Sequence, residues 1–226
     1  MELSNYLQSH FPGLKLMPSI YQQWNIGIPF TFAREIYQFN EQGQLNMDRF
    51  ELVYEQATTL FNELFASEDE VMLVTNMYKM VEKEKRTRKL KVYQSHLKQC
   101  KKLYQLQVET MPYPFEAEDA DVYQLQQFSL LCQCRDIQIE SLIKAAAHED
   151  FPLKPRFGGY HVNYPDVFLI NLTRDVIFFI YDDRGCEVIA RNVQILRQLY
   201  EKYGNWIDEV DRADVVQRLG MEKDVL

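Results

Sequence analysis

The fold is decided by residues 166–190, which read DVFLINLTRDVIFFIYDDRGCEVIA. This stretch contains three short apolar runs, at 167–171, 176–181 and 186–190, each rich in β-branched or aromatic residues. Runs of this length and composition are typical of buried strands rather than helices. Turn-forming residues separate the runs, so the sequence predicts an antiparallel meander of three strands.

The second and third runs are joined by the turn Asp182-Asp183-Arg184-Gly185. An aspartate side chain can accept hydrogen bonds from the backbone of its own turn, and glycine tolerates a positive φ. We therefore expect a hairpin with Gly185 at positive φ. We also expect Arg184 to pair with a carboxylate, either that of Asp182 or one from the run 209–211. The turn is structural in the first place, but loops on rigid strands also commonly carry function.

Three further residue pairs follow the YDDRG turn along the chain. They are Leu199-Tyr200, Trp206-Ile207 and Asp211-Arg212. With these pairs, residues 166–212 resemble the C-terminal signature of an uncharacterised bacterial family, domain of unknown function 3885. Glu209 and Val210 stand where that family tends to carry Asp and Tyr. The resemblance implies a fold and a marked face, and it brings no activity with it.

The candidate binding residues belong to the turn, to the signature after it and to a glycine-containing loop before it. They are Asp182, Asp183, Arg184, Trp206, Asp211, Arg212 and His161. Trp206 is expected to be largely buried against the hairpin or the helix at 192–203. An alternative site would hold a divalent metal ion between Asp182, Asp183, His161 and Asp166, because carboxylates and a histidine suit such an ion.

Recognisable catalytic and cofactor motifs are missing from the sequence. There is no P-loop, no dinucleotide-binding glycine fingerprint, no H-E-x-x-H and no G-x-S-x-G. The four histidines are far apart in the sequence, and the C-x-C at Cys132 and Cys134 has no second pair nearby. We therefore predict no cofactor and no metal site from spacing, and an enzyme is the less favoured class.

Composition excludes several classes of protein. With 46% hydrophobic and 13% aromatic residues among 226, the chain has too much apolar material to be disordered. No apolar run approaches the ~18 residues of a membrane span, and the N-terminus lacks the apolar core of a signal peptide. Four cysteines without framework spacing favour a reducing compartment. We expect a cytoplasmic protein without a membrane segment.

The charge is unevenly distributed along the chain. The net charge is −8, but residues 79–102 carry ten Lys or Arg against two Glu, so the remainder carries −16. A mostly acidic protein is a poor nonspecific binder of nucleic acid, and we expect no nucleic-acid partner. The basic stretch, from 81 to about 106, is expected to form one long helix with a solvated basic face.

The remaining patterns predict an α+β fold. Helices are expected at 3–10, 47–65, 139–148, 192–203 and 211–219, and strands at 26–36, 71–78 and 122–134. The prediction is a mostly antiparallel sheet with a C-terminal three-strand meander and helices packed on one face. Residues 1–226 are expected to form a single domain, with a possible internal boundary near 111–121.

Two functions follow from these observations. The first is a non-enzymatic cytoplasmic protein that binds a protein partner, comparable with immunity proteins whose acidic surfaces speed association with cationic toxins. The alternative is a metal-dependent hydrolase that uses the Asp182 and Asp183 turn. The sequence gives no indication of the oligomeric state.

Overall fold

The computed structural model describes residues 1–81, 91–115, 117–119, 121–158 and 164–221. Within these residues, the strands are β1 Gly27–Thr31, β2 Glu70–Met80, β3 Gln107–Pro112, β4 Tyr123–Gln133, β5 Asp166–Asn171, β6 Val176–Asp182 and β7 Gly185–Ala190. The α-helices are α1 Leu3–His10, α2 Ile20–Gln23, α3 Met47–Leu64, α4 Lys91–His96, α5 Ile139–Ala147, α6 Val193–Tyr203 and α7 Glu209–Arg218. In the part of the chain that is described, none of the helices is long and apolar enough to cross a membrane.

The strands form one antiparallel sheet in the order β1-β7-β6-β5-β2-β4-β3. The predicted α+β class is confirmed, and so is the meander, because β5, β6 and β7 pair in sequence order. The meander lies in the interior of the sheet, and β1 and β3 are the two edge strands of the sheet.

The two faces of the sheet support two separate cores. Val71 and Leu73 of β2 belong to the larger core, with α3 to α7, whereas Met72 and Val74 belong to a smaller core on the opposite face. The prediction of helices on one face holds for α3 to α7, but α1 covers the other face. The reason lies in β5 and β6, whose continuous apolar runs require burial on both faces.

The prediction of one long helix from residue 81 to about 106 is wrong for the second half of that range. The helix α4 ends at His96, Leu97 forms an isolated β-bridge with Ile137, and a 3-10 helix follows at Cys100–Gln105. Leu97 is buried in the larger core, and its backbone bridge to Ile137 stands where a further helical turn was predicted. Residues 82–90 of the basic stretch lie outside the described residues.

The edge strand β3 was not expected, and the possible boundary near 111–121 overlaps its last two residues. Gln107 to Pro112 of β3 pair with Ser129 to Gln124 of β4, so the sheet continues across this region. A single domain over 1–226 stays a prediction.

Candidate functional site

The YDDRG turn is tighter than the sequence suggested. Asp182 ends β6 and pairs with Gly185, so Asp183 and Arg184 alone form the turn. The prediction of a positive φ at Gly185 is wrong, because its φ lies outside that region. Glycine is required here for a different reason. A Cβ atom at this position would overlap a backbone oxygen of β1 and the hydroxyl of Tyr181.

Arg184 pairs with the nearest of the expected carboxylates, that of Asp182. The Arg184 backbone N–H donates to Asp182 Oδ1 at 2.7 Å and its Nε donates to Oδ2 at 2.8 Å, while Nη2 contacts Oδ2 as well. Burial raises the pKa of Asp182, and the hydrogen bonds from Arg184 oppose that rise. The Arg184 side chain is 64% exposed, so it is the accessible charge of the turn.

Asp183 is completely buried and forms an ion pair inside the protein. Its Oδ2 accepts a hydrogen bond from Arg49 Nε at 2.7 Å, and Gln38 Nε2 donates to the same oxygen at 3.1 Å. Arg49 Nη2 also donates to the Asp183 carbonyl oxygen at 3.2 Å. Asp183 therefore joins the hairpin to the start of α3, and its carboxylate is already occupied.

The same arginine holds the segment that leaves β1, residues 32–38, which we call the clasped loop. Arg49 Nη1 donates to the carbonyl oxygens of Ala33 at 2.8 Å and Ile36 at 2.6 Å. The Phe32 N–H donates to the Arg184 carbonyl oxygen at 2.7 Å. The turn and α3 together fix the clasped loop from both sides.

Two further contacts complete the clasped loop. Ala33 has a φ of 45°, a region that non-glycine residues adopt rarely and at an energetic cost. Its N–H donates to the buried Gln56 Oε1 at 2.8 Å, which helps to hold this conformation. Arg34 Nη1 donates to the Ile207 carbonyl oxygen at 3.1 Å, so the Trp206-Ile207 part of the signature also contacts the loop.

Three large apolar side chains project into solvent from the clasped loop, from the hairpin that follows it and from the first position of α3. Tyr37 is 86% exposed, Phe39 53% and Met47 44%. The backbone beneath them is ordered by the Phe39 to Leu45 bridge. Exposed carboxylates lie on the same three elements, the loop, the hairpin and α3: Glu35, Glu41, Asp48, Glu51 and Glu55. We call these eight residues the acidic aromatic surface.

The other residues proposed from the signature lie at the junction of α6 and α7. Trp206 is half-buried and stacks on Tyr203 of α6 with ring centroids 4.7 Å apart. Arg212 Nη2 donates to the Gly204 carbonyl oxygen at 3.3 Å. Burial, together with neighbouring carboxylates, raises the pKa of Asp211. The hydrogen bond from Arg34 to Ile207 links this junction to the clasped loop, and the binding roles of Trp206, Asp211 and Arg212 stay predictions. His161 lies outside the described residues.

Two carboxyl groups near the turn, those of Glu149 and Asp166, have raised pKa values. Burial raises the pKa of Glu149 to about 7, with the charge of Asp166 adding to the effect. Burial also raises the pKa of Asp166 to about 6, and the hydrogen bond from Tyr78 at 2.6 Å opposes it. In the described ranges, no three or more His, Cys, Asp or Glu side chains are arranged to hold a metal ion. His161, the histidine of the alternative hydrolase site, lies outside these ranges, and the Asp183 carboxylate is bound to Arg49.

Sequence reasoning missed the partners of Asp183. Arg49 gave one signal, because it is a cation in the first turn of α3, where the helix dipole favours anions. Gln38 gave none, since a glutamine in a polar loop is unremarkable by pattern. Both residues are far from Asp183 in the chain, at separations of 134 and 145 residues.

Comparison with known proteins extends the resemblance over most of the chain. The family model described as a domain of unknown function, DUF3885, matches residues 3–211. The protein described as "Uncharacterized protein YnaE" from Bacillus subtilis (strain 168) is 54% identical over 209 residues, which cover 92% of this chain and 98% of that protein. No solved structure matches this chain. The family match includes the clasped loop and α3 as well as the C-terminal signature.

Proposed function

We propose that this chain, which belongs to the DUF3885 family, is a non-enzymatic cytoplasmic protein that binds a cationic protein partner through the acidic aromatic surface. The observation that supports this function is the exposure of Tyr37, Phe39 and Met47 on and beside a loop that a buried ion pair fixes. A function of this kind would need no catalytic group and no cofactor.

The rigidity of the clasped loop favours binding. Aromatic side chains in the centre of an interface commonly supply most of the binding energy. Holding them in place before the partner arrives lowers the entropy that binding costs. The contacts of Arg49, Asp183 and Gln56 serve this purpose, because they fix the backbone while leaving Tyr37 exposed.

The charge around the aromatic residues favours a basic partner. Five exposed carboxylates lie on the loop, the hairpin and one side of α3. Carboxylates at the rim of an interface accelerate encounter with a cationic protein and favour it over acidic proteins. Arg34 and Arg184 lie at the edge of this surface, and they would require matching acceptors on the partner.

The experiment compares capture by three versions of the tagged protein. The wild type, the double variant Tyr37→Ser with Phe39→Ser, and the control Tyr104→Ser are incubated with extract of the source bacterium. Tyr104 is 82% exposed but lies outside the surface, in the 3-10 helix before β3. We expect a basic protein to be retained by the wild type and the control and lost from the double variant.

The captured protein is then purified and titrated at two salt concentrations. We expect its affinity to fall with salt, because screening weakens rim electrostatics. Equal capture by the double variant, or a salt-independent acidic partner, would contradict the proposal. A metal-dependent hydrolase would instead show a raised melting temperature with Mg²⁺, Mn²⁺ or Zn²⁺ and no dependence on Tyr37.

A further inference from the structure

A groove lies on the opposite face of the sheet, between α1 and the strands β3 and β4. It has a volume of about 610 Å³. A second cavity of about 480 Å³ adjoins it and shares Leu3, Ser4, Glu109 and Gln127 with it. Volumes of this size are typical of sites for small organic ligands.

Most of the groove is apolar. Leu7 and Leu14 line it from the N-terminal segment, and Met111 and Leu125 line it from β3 and β4. The groove is open because α1 belongs to a core that includes residues of β2, β5 and β6, whereas β3 is exposed along most of its length. An apolar group that enters this groove would leave water without any rearrangement of the core.

One side-chain oxygen that lines this groove, Gln127 Oε1, accepts no hydrogen bond from the described residues. Asn76 Nδ2 donates to the Leu16 carbonyl oxygen at 2.6 Å, so Asn76 Oδ1 must act as the acceptor on its other side. Gln127 Nε2 donates to that oxygen at 2.9 Å. This contact fixes the amide orientation and turns Gln127 Oε1 away from Asn76. Gln127 is only 8% exposed, and it lines the groove.

A carboxylate stands directly beside this acceptor. Glu109 of β3 is the cross-strand partner of Gln127, and the neighbouring pair is Met111 with Leu125. Opposed side chains on one face of an antiparallel pair are about 5 Å apart at Cβ. Two acceptors are thus adjacent to an apolar floor. Among the described residues that line the two cavities, the charged ones are Glu2, Glu109 and Lys15. The lining therefore has a net charge of −1, which favours a cationic ligand.

We propose that this groove binds a small amphiphilic amine. Its ammonium group donates to Gln127 Oε1 and to the Glu109 carboxylate, and its apolar body packs on Met111, Leu125 and Leu7. The amide oxygen of Gln127 selects a donor, the carboxylate selects a positive charge, and the volume of the groove limits the size of the ligand. This site lies on the face opposite α3, so it is independent of the acidic aromatic surface.

The test uses three probes that share one apolar body: phenylbutylamine, phenylbutanol and phenylbutyrate. Binding is followed by chemical-shift changes of the backbone amides of β3 and β4 up to millimolar concentration. We expect the amine to bind about tenfold more tightly than the alcohol, because one hydrogen bond becomes charge-assisted. The acid should bind most weakly of the three.

Matched variants identify the groups responsible. Glu109→Gln should reduce the affinity for the amine to that for the alcohol, whereas Glu140→Gln, an exposed change on α5, should leave the preference intact. Met111→Lys should abolish binding of the amine by placing a cation in the groove. No shift changes in β3 and β4 with any probe, equal affinity for amine and acid, or an unchanged preference in Glu109→Gln would overturn the proposal.

Discussion

Replacing Asp183 by asparagine should destabilise the protein strongly, although the two side chains have nearly the same size. The Asp183 carboxylate is fully buried and Arg49 is 7% exposed, so the guanidinium would remain inside the protein without a counter-charge. Removing one partner of a buried ion pair costs about 3–5 kcal/mol. Arg49 keeps its hydrogen bonds to the carbonyl oxygens of Ala33 and Ile36, so we expect the lower end, about 3 kcal/mol.

Urea unfolding followed by circular dichroism measures this loss. The control is Asp150→Asn, an exposed carboxylate next to the same region, which should change the free energy of unfolding by less than about 0.5 kcal/mol. Arg49→Met and the double variant complete a mutant cycle. The double variant should lose less stability than the two single variants together, because it leaves no unpaired charge. A loss below about 1 kcal/mol for Asp183→Asn, or strict additivity in the cycle, would refute the role assigned to this pair.

Three further predictions concern other groups. Gly185→Ala should cost about 1–3 kcal/mol in urea unfolding because its Cβ has no space, whereas Gly204→Ala, whose Cβ would lie 3.7 Å from the nearest ring atom, should be nearly neutral. Glu149 binds its proton more tightly in the folded state, so the free energy of unfolding should fall as pH rises from about 4.5 to about 7, and Glu149→Gln should flatten that part of the melting-temperature profile. Burial raises the pKa of Cys132 to about 12 and that of Cys186 well above its usual value, so mass spectrometry should find neither thiol alkylated by iodoacetamide at neutral pH until the protein is unfolded.

The elements that could be predicted from the sequence are those with an apolar pattern. The helix α3 has a regular buried stripe from Phe50 to Leu64, and β4 to β7 have apolar runs bounded by turn residues. The strand β3 could not be found in this way. Its residues Gln107 to Pro112 are almost all exposed, so no alternation between buried and exposed positions marks it. Its strand conformation comes from pairing with β4, which is a tertiary effect.

The candidate site was only partly predictable for a related reason. The YDDRG turn is visible in the sequence as turn chemistry. A carboxylate partner for Arg184 is predictable as well, but the sequence left Asp182, Glu209 and Asp211 open, and the structure selects Asp182. The burial of Asp183 depends on a residue 134 positions earlier in the chain, and periodicity carries no information over such a distance. Gly185 shows the same limit. A glycine is required at position 185 because strand β1 and Tyr181 leave no space for a Cβ atom, and not because the turn needs a positive φ there.

The clasp between Arg49 and Asp183 also has a consequence for synthesis on the ribosome. At about 5–20 residues per second, the 134 residues between them take about 7–27 s to be made. During that time α3 carries an arginine whose buried partner does not yet exist, and the loop at 32–38 lacks the hairpin that holds it. The loop therefore acquires its final shape only after β6 and β7 have emerged. A nascent chain that has not reached this point does not present the acidic aromatic surface in its folded form.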